Sequence, residues 1–172
     1  MTEIFAKRMT GDLQGDFAVF LIGMRFNHLW KIHKWLPVVR SMGRMLQELG
    51  AQDDSGFLGH QAWFARTTIM VQYWRSFDQL ENYAKNRSAQ HLPAWAAFNR
   101  QVGSNGDVGI WHETFLVRED AYECVYNNMP RFGLAKAGAH VPALGKKASA
   151  SGRIGLTDGD DAPVDVAGNY RE

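Results

Sequence analysis

A histidine and a glutamate stand side by side in the segment GIWHETFLV, as His112 and Glu113. The segment is rich in aromatic and β-branched residues and predicts a strand over 108–118. Because neighbouring residues of a strand face opposite sides of a sheet, these two groups should meet different environments. A covered ionisable group is costly unless it is partnered, so we expect at least one of them to act as an acid or base in a pocket. The alternative is a strand-end pair bonded to the backbone or to an arginine such as Arg25.

Aromatic side chains form a second group of candidates, since the chain has six Trp and ten Phe. Trp63, Trp74 and Trp111 fall on separate predicted strands and could line a pocket for a flat, apolar substrate, with core packing as the alternative. Tyr126 and Asn127 precede a predicted turn. They could orient a substrate oxygen together with Arg25, with Tyr126 as a catalytic donor, or they could occupy a sheet edge or a dimer contact.

Composition and motifs indicate which partners and cofactors to expect. The net charge is +1, and no long apolar run is present, so we expect neither a nucleic-acid nor a membrane partner. The single cysteine, Cys124, can form no internal disulfide, which favours a cytoplasmic location. No metal-binding or nucleotide-binding motif such as HExxH, CxxC or GxGxxG is evident, so we expect no metal site.

Periodicity along the chain predicts the element order β-α-β-β-α-β. The predicted strands are 17–25, 56–65, 67–74 and 108–118, with 121–127 as a candidate fifth; the predicted helices are 29–49 and a second from Ser76 to Gly103, interrupted near 86–88. This order is the split βαβ, ferredoxin-like arrangement, an α+β fold whose antiparallel sheet carries both helices on one face.

The other face of this sheet also needs a cover, because the strand 67–74 is apolar on both sides. The simplest cover is the sheet of a second copy, which predicts a homodimer. We place an N-terminal arm at 1–15, the ferredoxin-like domain at 16–144 and an extended C-terminal tail at 145–172, where large apolar residues become scarce.

The segment VQYWRSFDQLENYAKNRSAQHLPAWAAF (71–98) resembles the dimeric α+β barrel superfamily, and within it the antibiotic-biosynthesis-monooxygenase-like proteins. Ser76, Leu80, His91 and Trp95 fall into the pattern of those proteins. The segments GIWHETFLV and YECVYNNMPRFGLAKAG are similar to a subgroup of uncharacterised bacterial and fungal monooxygenase-like proteins related to a monooxygenase of fungal meroterpenoid biosynthesis.

The resemblance implies a homodimeric enzyme that oxidises a small apolar or aromatic molecule between sheet and helices. Cofactor-independent members of the superfamily use a base, a role that Glu113 or His112 could fill here. Heme-binding members use a histidine on the corresponding helix, so His91 is the implied axial ligand if the cofactor is heme, with an oxygenase or an aldoxime-dehydratase reaction. A third alternative is a non-enzymatic binder of an apolar metabolite.

Overall fold

The computed structural model describes residues 2–86, 91–101 and 103–158, with residues 91, 94 and 101 described by their backbone alone. The chain divides into two compact units, one of residues 15–117 and one of residues 1–14 and 118–172. In chain order, the described elements are β1 (Phe5–Asp12), β2 (Phe17–Phe26), α1 (Ile32–Gly50), β3 (Phe57–Trp63), β4 (Ile69–Trp74), α2 (Phe77–Lys85), α3 (His91–Gln101), β5 (Val108–Val117), β6 (Tyr126–Met129), α4 (Leu134–Ala137), β7 (Ala139–Pro142), a short 3₁₀ helix (Gly145–Lys147) and α5 (Ala150–Arg153).

The larger unit is the predicted ferredoxin-like fold. Its four strands pair antiparallel in the order β3-β4-β2-β5, and the helices α1 and α2 are the crossovers of the two split βαβ units. The α+β class and the βαββαβ order are therefore confirmed.

A local signal sets the start of the second helical segment. The Ser76 hydroxyl accepts a hydrogen bond from the backbone N–H of Gln79 at 3.2 Å, which caps the start of α2. The helix ends at Lys85 and α3 begins at His91, so two separate helices replace one. The predicted interruption of this segment is confirmed.

The core of this unit lies between the helices and one face of the sheet. Trp74 and Ala18 of the sheet pack there against Leu49 of α1 and Leu80 of α2. Only 1% of the Trp74 surface is exposed. Because the helices meet the sheet through this cluster, it fixes the height of α1 and α2 above the strands.

The smaller unit holds a second sheet that the sequence did not predict, with β1 at its centre and β6 and β7 at its edges. The predicted N-terminal arm is thus largely a paired strand, and the candidate strand 121–127 is instead the short β6. Thr10 and Gly11 bring β1 close to the segment before β6 and to α4. The Thr10 hydroxyl donates to the backbone oxygen of Cys124 at 2.7 Å, and a Cβ at Gly11 would lie 2.8 Å from the Ala135 nitrogen.

The C-terminal segment also departs from the predicted extended tail. Residues 145–158 form two short helical turns, which Arg153 holds by donating to the Glu123 carboxylate at 2.9 Å and to the backbone oxygen of Lys147. A 2.8 Å ion pair joins Lys147 to Asp12. The prediction failed because it weighed apolar burial and not these polar contacts. The rest of the predicted tail, 159–172, lies outside the described residues.

Candidate functional site

A cavity of about 810 Å³ lies between the helices and the helix-facing side of the four-stranded sheet. All of its lining residues belong to the 15–117 unit. Its walls include four methionines, which are Met24 and Met70 of the sheet and Met42 and Met45 of α1. They also include a set of aromatic residues: Phe20, Trp63, Phe64, Phe77, Trp95 and Phe98. A space of this size with mainly apolar walls suits a small molecule with an apolar body.

The polar groups of the wall are few, and several are already engaged. The Ser41 hydroxyl donates to the backbone oxygen of Pro37 at 2.9 Å, and the Thr68 hydroxyl bonds the backbone of Met24. Among the described wall residues, the ionisable ones are Glu81 and His112. Glu81 forms a 2.8 Å ion pair with Lys85 on the next turn of α2, which compensates its charge.

His112 reaches this cavity from β5. It pairs with Ile22 across the sheet, and its ring centroid lies 5.6 Å from that of Phe20. Glu113, the next residue, pairs with Leu21 and belongs to the opposite face. The structure therefore separates the two predicted catalytic residues and brings only His112 to the cavity.

Both side chains are exposed in the single chain, whereas we expected at least one to be covered. The reason is the position of β5 at the edge of the sheet, where it has a neighbouring strand on one side only. The prediction used the alternation of the strand and could not specify where that strand lies in the sheet.

The three predicted tryptophans do not form one wall. Trp63 lines the cavity and is 44% exposed, so it lies near the cavity mouth. Trp74 lies in the core, where its indole N–H donates to the side-chain oxygen of Gln72 at 3.0 Å. Trp111 alternates with the cavity residue His112 and lies over Gly23 on the other face, where a Cβ at position 23 would lie 2.6 Å from the indole nitrogen. Core packing, the alternative that we left open, describes Trp74.

The remaining predicted residues are not among those that line the cavity. Arg25 is exposed and donates to the Thr67 hydroxyl at 2.7 Å. Tyr126 and Asn127 belong to β6 of the smaller unit, where the Tyr126 ring packs near Phe132 and His140. Their roles at a substrate stay predictions.

Sequence reasoning missed several residues that do line the cavity. Phe64 follows β3 directly, and Met42 and Met45 lie on α1. The apolar stripe of α1 was visible in the sequence, but such a stripe does not distinguish a helix packed on the sheet from one that spans a cavity.

A buried carboxylate, Asp107, anchors the chain where α1 begins. Its side chain accepts from the Lys31 ammonium at 2.6 Å and contacts the His28 ring nitrogen at 3.0 Å. The hydrogen bond from Lys31 lowers the pKa of Asp107, with further contributions from the Lys31 charge and from His28, against the opposing effect of burial. This cluster ties the α1 wall of the cavity to the start of β5.

Comparison with known proteins gives the family. The chain matches the family described as Monooxygenase af470-like over residues 17–134, which is more than half of its length. The chain belongs to this family. The match covers the whole βαββαβ unit and the cavity.

One curated relative is Monooxygenase af470 of Aspergillus fumigatus, which is 27% identical over 126 residues. The match covers 67% of this chain but only 44% of that relative, so the chain spans less than half of it. Among solved structures, SnoaB, a cofactor-independent oxygenase from Streptomyces nogalater, is 15% identical with a TM-score of 0.43 over 60% of this chain and 94% of its own. A candidate antibiotic biosynthesis monooxygenase from Caulobacter crescentus CB15 is 15% identical with a TM-score of 0.41, over 58% and 89% of the two chains.

Heme was the alternative cofactor that the resemblance to the wider superfamily implied. His91 is the first residue of α3, whose Leu92 and Trp95 line the cavity, but its side chain lies outside the described part of the chain. The described wall holds the acid Glu81 and no Lys or Arg, so among the described lining residues there is no cation to bind the two carboxylates of a heme. Ligation by His91 stays a prediction.

Neither a metal cluster nor a spanning helix is found among the described residues. In these ranges, no group of three or more His, Cys, Asp and Glu is placed to hold a metal ion. No described helix combines the length and the apolar character needed to cross a bilayer.

Proposed function

We propose that this chain is a monooxygenase that oxidises an electron-rich, apolar or aromatic molecule inside the 810 Å³ cavity, with dioxygen as co-substrate and without a resident cofactor. The observation that carries the proposal is the placement of one imidazole, His112, in a wall that is otherwise mainly apolar. Membership of the Monooxygenase af470-like family supports the reaction class.

In the proposed reaction, His112 accepts a proton from a substrate carbon or hydroxyl group, which leaves an electron-rich anion. The anion transfers electrons to dioxygen and forms a carbon–oxygen bond, giving a hydroperoxide. Loss of the second hydrogen from that carbon then breaks the oxygen–oxygen bond. Overall, a methylene group and dioxygen become a carbonyl group and water, so one oxygen atom enters the product and the other leaves as water.

The described walls suit this chemistry in two ways. The aromatic and methionine side chains surround the substrate with apolar surface, and they supply shape rather than charge. The ion pair between Glu81 and Lys85 keeps the second ionisable residue of the wall compensated. His112 is therefore our choice as the general base, in preference to Glu113 on the opposite face.

We also propose a cytoplasmic homodimer. The sheet face away from the helices carries apolar side chains such as Val19, Leu21, Val71 and Phe115. A second copy would cover this face, and the single cysteine is consistent with a reducing compartment.

The test is dioxygen uptake with anthrone as a probe for an electron-rich methylene substrate. We expect uptake of one dioxygen per carbonyl formed and label from ¹⁸O₂ in the product. Met45→Trp narrows the cavity and should lower uptake, whereas Arg44→Trp, at the adjacent exposed position that does not line the cavity, should retain it. A folded protein that binds anthrone without uptake would favour the non-enzymatic binder, and a Soret band essential for turnover would favour heme.

A further inference from the structure

One end of the larger unit exposes apolar side chains on a braced turn. Trp30 is 75% exposed, and its neighbours Leu29 and Ile32 are exposed by about half. The turn itself is held in place, because His28 and Lys31, which flank Leu29 and Trp30, both contact Asp107. Because the turn is rigid, the tryptophan and the two aliphatic side chains stay exposed to water, which is unfavourable for apolar groups. This turn therefore has the character of a docking surface.

The β3–β4 hairpin lies at the same end. Arg66 of that hairpin donates to the backbone oxygens of Phe26 and Asn27, at 3.3 and 3.4 Å, directly before the turn. Phe64 in the hairpin is 79% exposed. The turn and the hairpin thus form one surface, which we call the basic aromatic end: residues 25–34 and 63–67.

The charge of this surface has one sign. Its sequence contains Arg25, Lys31, Lys34 and Arg66 and no Asp or Glu. Asp107, directly before β5, compensates the charge of Lys31, whereas Arg25 and Arg66 donate to neutral oxygens. Exposed tryptophan and aliphatic residues framed by cations are typical of proteins that rest on an anionic lipid surface.

The same surface adjoins the mouth of the cavity. Trp63 and Phe64 line the cavity and yet are 44% and 79% exposed, so they stand at its entrance. A molecule that suits the mainly apolar walls partitions into bilayers rather than water. A docked entrance would receive such a molecule directly from the lipid phase.

We propose that the basic aromatic end docks on anionic lipid bilayers, with Leu29 and Trp30 inserted at the interface and the arginines at the headgroup phosphates. The net charge of +1 led us to expect no membrane partner. The net charge does not show, however, that the basic residues are concentrated at this end of the unit. Docking does not rest on the proposed chemistry, and its test uses no substrate.

The test is co-sedimentation of the full chain with vesicles of phosphatidylcholine containing phosphatidylserine. We expect binding that weakens with added salt and is lost with phosphatidylcholine alone. The double variant Leu29→Ser/Trp30→Ser should bind about tenfold more weakly, because its interfacial side chains are gone. The matched control is Leu144→Ser/Leu156→Ser, which removes two similarly exposed apolar residues of the smaller unit and should bind like the unmodified chain.

Several results would overturn the proposal. These are a chain that stays in the supernatant, equal binding to neutral vesicles, or a double variant that binds as well as its parent. Binding of single-stranded RNA instead of vesicles would assign the surface to nucleic acid. A change of oligomeric state in the double variant, without an effect on vesicle binding, would assign the surface to contact with a second copy of the chain. Should the double variant not fold, hydrogen exchange on the unmodified chain decides: vesicles should slow exchange over 26–35 and 63–68, and unchanged exchange refutes docking.

Discussion

His112 and Glu113 are adjacent on β5 but belong to opposite faces of the four-stranded sheet, with only the histidine in the wall of the cavity. Their registers show this directly, since His112 pairs with the cavity residue Ile22 and Glu113 pairs with Leu21. Variants at the two positions therefore control for each other, because each one changes the same edge strand.

We predict that His112→Gln lowers kcat/KM by about a hundredfold or more, the usual contribution of a general base. Glu113→Gln should leave kcat/KM near its original value, because that side chain lies on the other face of the sheet. Dioxygen uptake with anthrone measures both. Equal losses in the two variants would contradict the assignment of the base to His112, as would full activity of His112→Gln.

A second contrast separates a core tryptophan from a cavity tryptophan. Trp74→Ala should cost about 3–5 kcal/mol of the free energy of unfolding, because loss of the buried indole leaves a cavity and removes the hydrogen bond to the Gln72 side-chain oxygen. Trp63→Ala should cost about 1 kcal/mol or less, since the residue is 44% exposed, but should weaken binding of an apolar dye. Urea unfolding and dye titration give the two readouts. Similar unfolding energies for both variants would refute the placement of Trp74.

The architecture of the larger unit was predictable because its signals are local. Ser76 has the chemistry of a helix cap, and the alternation of β4 gave the two faces of the sheet. The order of elements then left a split βαβ arrangement as the simplest topology. The family resemblance rested on residues in this same unit.

The smaller unit was not predictable in the same way. β1 carries two successive charged, exposed residues, Lys7 and Arg8, and pairs with strands more than a hundred positions away. Contacts such as the hydrogen bond from Thr10 to Cys124 stabilise this unit. Such contacts join residues far apart in the sequence, so a local sequence pattern does not predict them. Likewise, nothing in the strand pattern of β5 indicated that it lies at an edge and that His112 rather than Glu113 borders a cavity.

Asp107 should make stability depend on acid pH. Its pKa is lowered in the folded state, first by the hydrogen bond from Lys31, so the unfolded chain binds the proton more readily. The stabilisation is therefore present above the unfolded value, about 3.9, and disappears as the pH falls through the folded value. Asp107→Asn should be less stable than the unmodified chain near neutrality and should converge with it in acid.

The measurement for Asp107 is the free energy of unfolding across this pH range. Asp53→Asn, in the exposed turn after α1, is the matched control for removal of one carboxylate. A constant difference between Asp107→Asn and its parent at all pH values would contradict the ion-pair explanation.

His140 differs from Asp107 in that its surroundings favour the neutral form of the side chain, whereas those of Asp107 favour the charged form. Its ring meets Phe5 edge-on at 4.6 Å, and its Nε2 atom is buried with no hydrogen-bond partner among the described residues. Burial, followed by the charges of Arg131 and Lys7, lowers the pKa of His140. The unfolded chain therefore takes up the proton first, so stability is complete above the unfolded value of about 6.5 and declines as the pH falls below it.

His140→Phe removes this titration and keeps an aromatic ring beside Phe5. We expect the unmodified chain to lose stability relative to His140→Phe as the pH is lowered from about 7.5 to about 5, measured by urea unfolding. Lys7→Gln should raise the pKa of His140 in an NMR titration, because one of the opposing charges is gone. Parallel stability curves for the chain and for His140→Phe would show that the imidazole titrates alike in the folded and unfolded states, and the buried Nε2 atom would then have no energetic consequence.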